Sequence, residues 1–543
     1  MQSYTSMTLE EQLGQLFVVG FWGTTPSPEI IDLIQNYHIG GIILFSRNIS
    51  DPQQVLELTE SLQRSAKDAG HRHPLLIAID HENGMVQRLG KAVTQFPGNM
   101  ALGAIGSEQI AYAIAQATGR ELKALGINMN LAPVVDVNNN PANPVIGIRS
   151  FGEDPLQVAR LATATVKGYQ AAGIISSLKH FPGHGDTAVD SHYALPTISS
   201  TLQRLEEVEL VPFRSGIEAG APSVMIAHIH FPSLMQDKVL PATVSSAVIS
   251  ELLRKQLGYD GVIISDCLEM KAIADTLGVE RGAIMVLQAS SDLVLISHHY
   301  TLQRAGIEAV RSAVQSGELS PEMIRQAVGR VLRLKERFLP WDDIPASTVP
   351  AWVGGKEHQE LRDRAYNLST TLVRNDAALL PLRLEANERI LVVFQQTDTN
   401  IVEGKHSTPD ELLLQAIRQY HAHVDTLSLS SRRTAEEYQQ VLRRARESDV
   451  IIMPTVDAFL DQQQAEPMNS LIQTGQRVVG IAVRNPYDLL AFPQLRTYLV
   501  TYEYTQPALA AAVRVLFGEI QPQGRLPVTL PALYPLGHQA SIY

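Results

Sequence analysis

Cysteine is almost missing from this 543-residue chain. The single Cys267 excludes an intrachain disulfide and every multi-cysteine zinc module. Long apolar runs are missing too, since nothing approaches the roughly 20 residues that span a bilayer. The opening stretch, MQSYTSMTLEEQLGQLFVVGF, has no basic segment, and Glu10 and Glu11 interrupt its apolar residues. It does not read as a secretory signal. The expectation is a soluble, cytoplasmic protein with no membrane partner. Positive charge is in deficit, with 44 Lys and Arg against 56 Asp and Glu and a net charge of −12. Such a chain repels phosphate backbones, which argues against a nucleic-acid partner. No G-x-S-x-G elbow occurs, so serine hydrolase chemistry lacks its usual signature.

What is present is an ordinary globular composition, 45% hydrophobic and 18% charged. The length suits two or three domains, or one barrel with a smaller unit. Eight apolar runs lie in the first part of the chain: Leu13 to Phe21, Ile39 to Ser46, Pro74 to Asp80, Ile127 to Val137, Ile174 to Gly183, Ser223 to Phe231, Gly261 to Met270 and Asp292 to Ser297. Rich in Val and Ile, they read as buried parallel strands. Helical patterns separate most of them. Val55, Leu58, Leu62 and Ala66 fall at helix spacing, and SSAVISELLRKQLG opens on a candidate serine cap and closes at Gly258. This alternation predicts a (β/α)8 barrel, although a doubly wound sheet shares the local pattern. In a barrel, catalytic residues sit at the C-terminal ends of strands.

The stretch from Leu339 to Gly355 carries Pro340, Pro345 and Pro350 and reads as a linker, followed by a helical stretch from Lys356 to Leu372. Beyond it RILVVFQ, DVIIMPTV, RVVGIAV and RTYLVTYEY alternate with helical patterns. The expected division is a catalytic barrel over 1–338, a linker and connecting helix over 339–372, and a C-terminal α/β sandwich over 373–543. The first strand of that second unit leads into QQTDTNIVEG, which lacks a nucleotide-binding glycine fingerprint.

The densest polar stretch is KHFPGHGDTAVDSH, from Lys179 to His192. Pro182, Gly183 and Gly185 forbid a regular helix there, so it is a loop after the fifth strand. Two chemistries compete for it. In one, His180, His184 and His192 bind a metal with an aspartate, with His228 and His230 on the sixth strand as further ligands. The His180 to His184 spacing aligns two ligands only on a helix, which this segment is not. In the other, Asp190 orients His192 as a general acid and base, because an imidazole titrates near neutral pH and a carboxylate fixes its tautomer. Asp266 ends the seventh strand, where a charge after an apolar run is costly. It reads either as a helix cap before LEMKAI or as a nucleophile suited to an oxocarbenium-like transition state. Asp80 in DHENGMVQR, Arg88, Arg149 in GIRSFG, Lys179 and His180 share strand-end positions and suit the hydroxyls of a sugar.

Taken together, KHFPGHGDTAVDSH, DHENGMVQR, GIRSFGEDP and SDCLEMKAI resemble the β-N-acetylglucosaminidase branch of glycoside hydrolase family 3. LVRNDAALLPL and LFGEIQPQGRLPVTLP resemble the flanks of that family's second domain. The resemblance implies Asp266 as nucleophile, His192 as acid/base and Asp190 as its partner. It implies that Asp80, Arg88, Arg149, Lys179 and His180 hold a terminal N-acetylglucosamine, and that no metal or organic cofactor is needed. It further implies a retaining exo-β-N-acetylhexosaminidase acting on muropeptides in peptidoglycan recycling first, and on chitin fragments second. The alternatives are a metal-dependent barrel hydrolase and a family 3 phosphorylase or glucosidase. One departure stands out: Glu82-Asn83-Gly84-Met85 replaces the family's common Glu-Gly-Gly-Arg.

Overall fold

A computed structural model describes residues 7–188, 190, 194–235, 239–343, 348–396, 409–430 and 434–542. The eight apolar runs each form a parallel strand: β1 (Phe17–Val19), β2 (Gly41–Leu44), β3 (Leu76–Ile79), β4 (Met129–Asn130), β5 (Ile175–Phe181), β6 (Ser223–Ile226), β7 (Val262–Ser265) and β8 (Val294–Ile296). They run in the order β7-β6-β5-β4-β3-β2-β1-β8. The ring closes between β7 and β8, where the Ser265 amide donates to the Leu293 carbonyl at 2.9 Å. Every strand residue is buried, because packed side chains fill the inside and helices cover the outside.

The helices follow from their caps and stripes. The Asp51 carboxylate accepts the Gln54 amide at 3.0 Å and starts the helix Pro52–Asp68, which buries Val55, Leu58, Leu62 and Ala66 as its spacing predicts. The expected serine cap near Ser246 does not form. Ser246 makes no side-chain cap bond, and the segment Ala247–Gln256 is a π-helix whose last turn joins the Leu257 amide to the Leu252 carbonyl.

The second sheet has the order β11-β10-β12-β13-β14-β9. Its strands are β9 (Thr371–Asn375), β10 (Ile390–Gln395), β11 (Val424–Leu429), β12 (Val450–Thr455), β13 (Arg477–Ala482) and β14 (Thr497–Val500), all parallel except β9. The helices Pro409–Ile417 and Gln506–Leu516 pack together, as do Ala435–Arg446 and Gln462–Gln473. Between barrel and sheet lies the helix Lys356–Ser369. Buried Glu121 of the barrel accepts the Thr94 and Gly354 amides at 2.7 and 3.0 Å and meets His358 Nδ1 at 2.5 Å, tying that helix to the barrel. Among the described residues no helix is long and apolar enough to cross a membrane.

Candidate active site

The strand ends of β3, β4 and β5 bring one line of alternating charge together. Asp80 directly follows β3 and Glu82 lies two residues further on, both at the barrel mouth. Lys179, from β5, reaches both: its Nζ lies 2.7 Å from Asp80 Oδ1 and 2.7 Å from Glu82 Oε1. Arg149 clasps Glu82 from the other side, with Nε at 2.9 Å and Nη2 at 2.8 Å, a two-pronged pairing. Arg149 Nη2 continues to His180 Nε2 at 3.4 Å, and His180 Nδ1 lies 2.7 Å from Asp136 Oδ2. Asp136 also accepts the amides of His180 and His184.

The energetics follow from burial. Lys179, Glu82 and Asp136 are almost wholly enclosed, which would neutralise each of them if it stood alone. Burial pushes Glu82 upward, but the Arg149 and Lys179 cations outweigh it and hold the carboxyl well below the usual range. Burial likewise lowers Lys179, and Asp80 and Glu82 more than reverse this. Burial raises Asp136, and His180 beside it brings the net shift downward. An ionised Asp136 only accepts, so the proton of His180 sits on Nδ1 and Nε2 turns toward Arg149. His81, between Asp80 and Glu82 in sequence, is fully buried, and burial drives it down to about 4.

The other expected site residues are distributed as follows. Asp266 stands directly after β7, half-buried, and its Oδ1 accepts the Cys267 amide at 2.7 Å, which orients the carboxylate. It does not cap the next helix, Lys271–Ala274, whose cap position is Met270. Arg88 is half-buried, with its guanidinium 5.8 Å above the Phe45 ring. Asp190 is half-buried and its carbonyl accepts the Ala194 amide at 3.2 Å. His192 lies outside the described residues, so the contact within the expected dyad does too. Glu82 and Asp136 were not singled out from the sequence, yet they hold Lys179, Arg149 and His180 in place.

Of the histidines weighed as metal ligands, His192 lies outside the described residues, and His184, His228 and His230 hydrogen-bond to protein groups. His184 Nδ1 meets Thr187 Oγ1 at 2.9 Å, His228 bridges Thr243 Oγ1 at 2.6 Å and the Cys267 carbonyl at 2.8 Å, and His230 Nδ1 faces the Leu240 carbonyl at 3.2 Å. Among the described residues the group with ligand spacing is Cys267, Glu269 and His298. There Glu269 already accepts the amides of His298 and His299 at 2.6 and 3.0 Å, and Arg47 sits 3.0 Å from His298 Nδ1.

Sequence comparison decides the family. The profile of the glycosyl hydrolase family 3 N-terminal domain matches residues 8–334, and that of the family's C-terminal domain matches residues 370–535. The chain belongs to glycosyl hydrolase family 3. This family 3 glycoside hydrolase is similar to β-hexosaminidase A of Pseudoalteromonas piscicida, at 33% identity over 93% of this chain and 92% of that one. It is similar in structure to a family 3 β-N-acetylglucosaminidase from Paenibacillus sp. str. FPU-7, at 40% identity and a TM-score of 0.90 over 97% of this chain and 99% of that one. A β-N-acetylhexosaminidase from Beutenbergia cavernae DSM 12333 matches at 32% identity and a TM-score of 0.57, covering 61% of this family 3 chain and 99% of its own.

Proposed function

We propose that the protein is a retaining exo-β-N-acetylglucosaminidase that removes terminal N-acetylglucosamine. The observation that carries this reading is the charge line Asp80–Lys179–Glu82–Arg149–His180–Asp136 at the barrel mouth. It offers a carboxylate to accept from sugar hydroxyls and cationic N–H groups to donate to them, all held by buried partners. Lys179 holds Asp80 and Glu82 with two of the three donors an ammonium carries. Asp80, Arg88, Arg149, Lys179 and His180 are the proposed sugar-binding set, and the names of the relatives above support N-acetylglucosamine as the sugar. Muropeptide fragments are the proposed natural substrates, with chitin fragments second.

Two displacements make the reaction. In the first, the Asp266 carboxylate bonds to the anomeric carbon as the glycosidic bond breaks, and His192 delivers a proton to the departing oxygen. In the second, water attacks the same carbon, His192 takes up its proton and Asp266 is released, so the configuration is retained. Asp190 fixes the His192 tautomer and steadies the imidazolium. A panel of aryl β-glycosides, with and without chelator, tests the assignment. The expected result is turnover of the N-acetylglucosaminide well above the glucoside, unchanged by EDTA, and lost for the most part in a folded Asp266→Ala variant. Near-normal turnover in that variant would remove Asp266 from the mechanism, and zinc-restored loss with EDTA would favour metal-dependent chemistry.

A further inference from the structure

The loop that carries Asp80, Glu82 and Arg88 leaves the barrel and closes on itself before the helix Asn99–Ile105 begins. Its two ends touch at Gly84 and Gly98. The Gly84 amide donates to the Phe96 carbonyl at 3.0 Å, and a Cβ on Gly84 would stand only 2.7 Å from Gly98 Cα. Asn83 and Gly84 both have positive φ, at 68° and 58°, so the turn is tight and side-chain-free at the crossing. Beyond it the Asn99 side chain donates to the Arg149 carbonyl at 2.7 Å. A shift of this crossing therefore moves both partners in the Glu82–Arg149 pair.

The crossing is held from the second domain. Glu503, 1% exposed, follows β14, and its Oε1 accepts the Gly98 amide at 3.1 Å. Its Oε2 would lie 3.3 Å from a Cβ on Gly84. Tyr502 just before it has φ +66°, a conformation costly for a bulky side chain, and the Tyr502 hydroxyl is fixed to Thr371 Oγ1 at 2.7 Å. Met85, where the family commonly has arginine, packs into the second domain's apolar core with Ile148 and Tyr502. A cavity of about 20 Å³, room for a single water, separates Glu503 from Glu82 and Arg149.

We propose that Glu503 is a positioning residue, which reaches across from the second domain to hold the sugar-binding loop and the Glu82–Arg149 pair at their working geometry. The hydrogen-bond geometry around Glu503 accommodates the protonated acid. The Tyr366 hydroxyl lies 3.3 Å from the Gln95 carbonyl and 3.2 Å from Glu503 Oε2, and it has one proton to give. With a proton on Oε2, Glu503 has a donor for the tyrosine oxygen, which also accepts the Thr505 hydroxyl at 3.1 Å, and Tyr366 donates to Gln95; without it, Tyr366 donates to Glu503. Burial outweighs the hydrogen bonds from Gly98, Tyr366 and Thr505 and pushes Glu503 up to about 8. An amide has the same acceptor and donor arrangement, so glutamine is the natural replacement.

The inference rests on the proposed activity, and its test separates the two. Kinetics on an aryl β-N-acetylglucosaminide are compared for wild type, Glu503→Ala and Glu503→Gln, each checked for folding. The alanine variant leaves the buried Gly98 amide without its acceptor and is expected to raise KM about tenfold while kcat changes little. The glutamine variant restores KM. Met85→Ala shifts KM in the same direction by less. Should the alanine variant not fold, Glu503→Asp, which withdraws the carboxyl by one methylene, takes its place. Hydrogen exchange over residues 80–98 reads the same effect without substrate, with faster exchange in the alanine variant and wild-type protection in the glutamine variant. A folded alanine or aspartate variant with wild-type KM, or with unchanged exchange where wild type shows no turnover, overturns the inference. So does a glutamine variant as impaired as alanine. Absence of wild-type turnover counts against the proposed activity alone, because the exchange comparison still decides the role of Glu503.

Discussion

Lys179 shows how single residues divide the labour at the barrel mouth. It is 2% exposed, and only the two carboxylates it touches make a buried ammonium tolerable. The same logic makes part of the site readable from sequence. A lysine and a histidine closing an apolar run are costly unless used, so Lys179 and His180 stand out. Glu82 carries an equal signal, because it lies two residues from Asp80 just after the apolar run of β3. Asp136 is harder to see. It lies among Val134, Val135 and Val137 and reads as strand filling until its partner, 44 positions later, is known. The acid/base role proposed for His192 has a specific consequence. A dinitrophenolate leaves with little protonation, whereas release of the sugar needs a base to activate water. His192→Ala is therefore expected to form the glycosyl-enzyme from that substrate and then stall, with turnover down by about 10²–10⁴-fold. Azide, which needs no base, restores turnover and yields the β-glycosyl azide. Equal loss on good and poor leaving groups, without rescue, would assign the proton to another residue.

At the scale of elements, the strands buried on both faces were the legible ones, since continuous Val and Ile runs have little else to become. Two strands of the second sheet were not foreseen. β11 is an edge strand whose middle residues are largely exposed, so VDTLSL carries little apolar signal. β9, TLVRN, mixes polar with apolar residues and is the antiparallel edge strand of its sheet, so it too carries little apolar signal. The π-helical winding of Ala247–Gln256 was also hidden, because its apolar positions fit an α-helix well enough. One helix carries a polar feature that periodicity does not explain. Lys335 lies on the inner face of Pro321–Phe338, fully buried, and its Nζ meets Gln15 Oε1 at 2.8 Å. Burial lowers it to about 7. A lysine depressed in the folded state holds fewer protons than the unfolded chain between that value and its ordinary one. Its destabilising effect is full below pH 7 and fades as pH rises toward 10.5. Lys335→Met is expected to raise the barrel's melting temperature by a few degrees at pH 6, with a smaller gain at pH 9. Calorimetry at the two pH values checks this, and a loss of stability at both would mean that the bond to Gln15 outweighs the burial cost.

At the scale of the whole molecule, the second domain is fastened to the barrel beside the proposed sugar-binding loops. Asn138, on the loop after β4, donates to the Tyr487 hydroxyl at 3.0 Å. Gly147, two residues before Arg149, packs so closely on Asn485 that a Cβ would meet its Oδ1 at 2.7 Å. Glu153 accepts both the amide and the hydroxyl of Thr529. None of these pairings is visible in sequence, because each joins loops hundreds of residues apart whose approach depends on how two finished domains meet. Glu503 makes the junction sensitive to pH. Raised from 4.5 to about 8, it binds a proton in the folded state that the unfolded chain has released. Its contribution is complete below pH 4.5 and is lost as pH rises through 8. Across that window one proton changes stability by about 1.4 kcal/mol per pH unit as an upper limit. Other groups titrate in the same range, so the comparison has to be differential. Glu503→Gln keeps the hydrogen bonds and removes only this titration, which cancels the remaining groups on subtraction. The difference in melting temperature, wild type minus Glu503→Gln, is expected to fall from pH 5 to about pH 8 and to level off by pH 9, leaving the glutamine variant the more stable at the alkaline end. A difference that stays flat with pH would mean that Glu503 keeps an ordinary carboxylate range and that water reaches it through the domain junction.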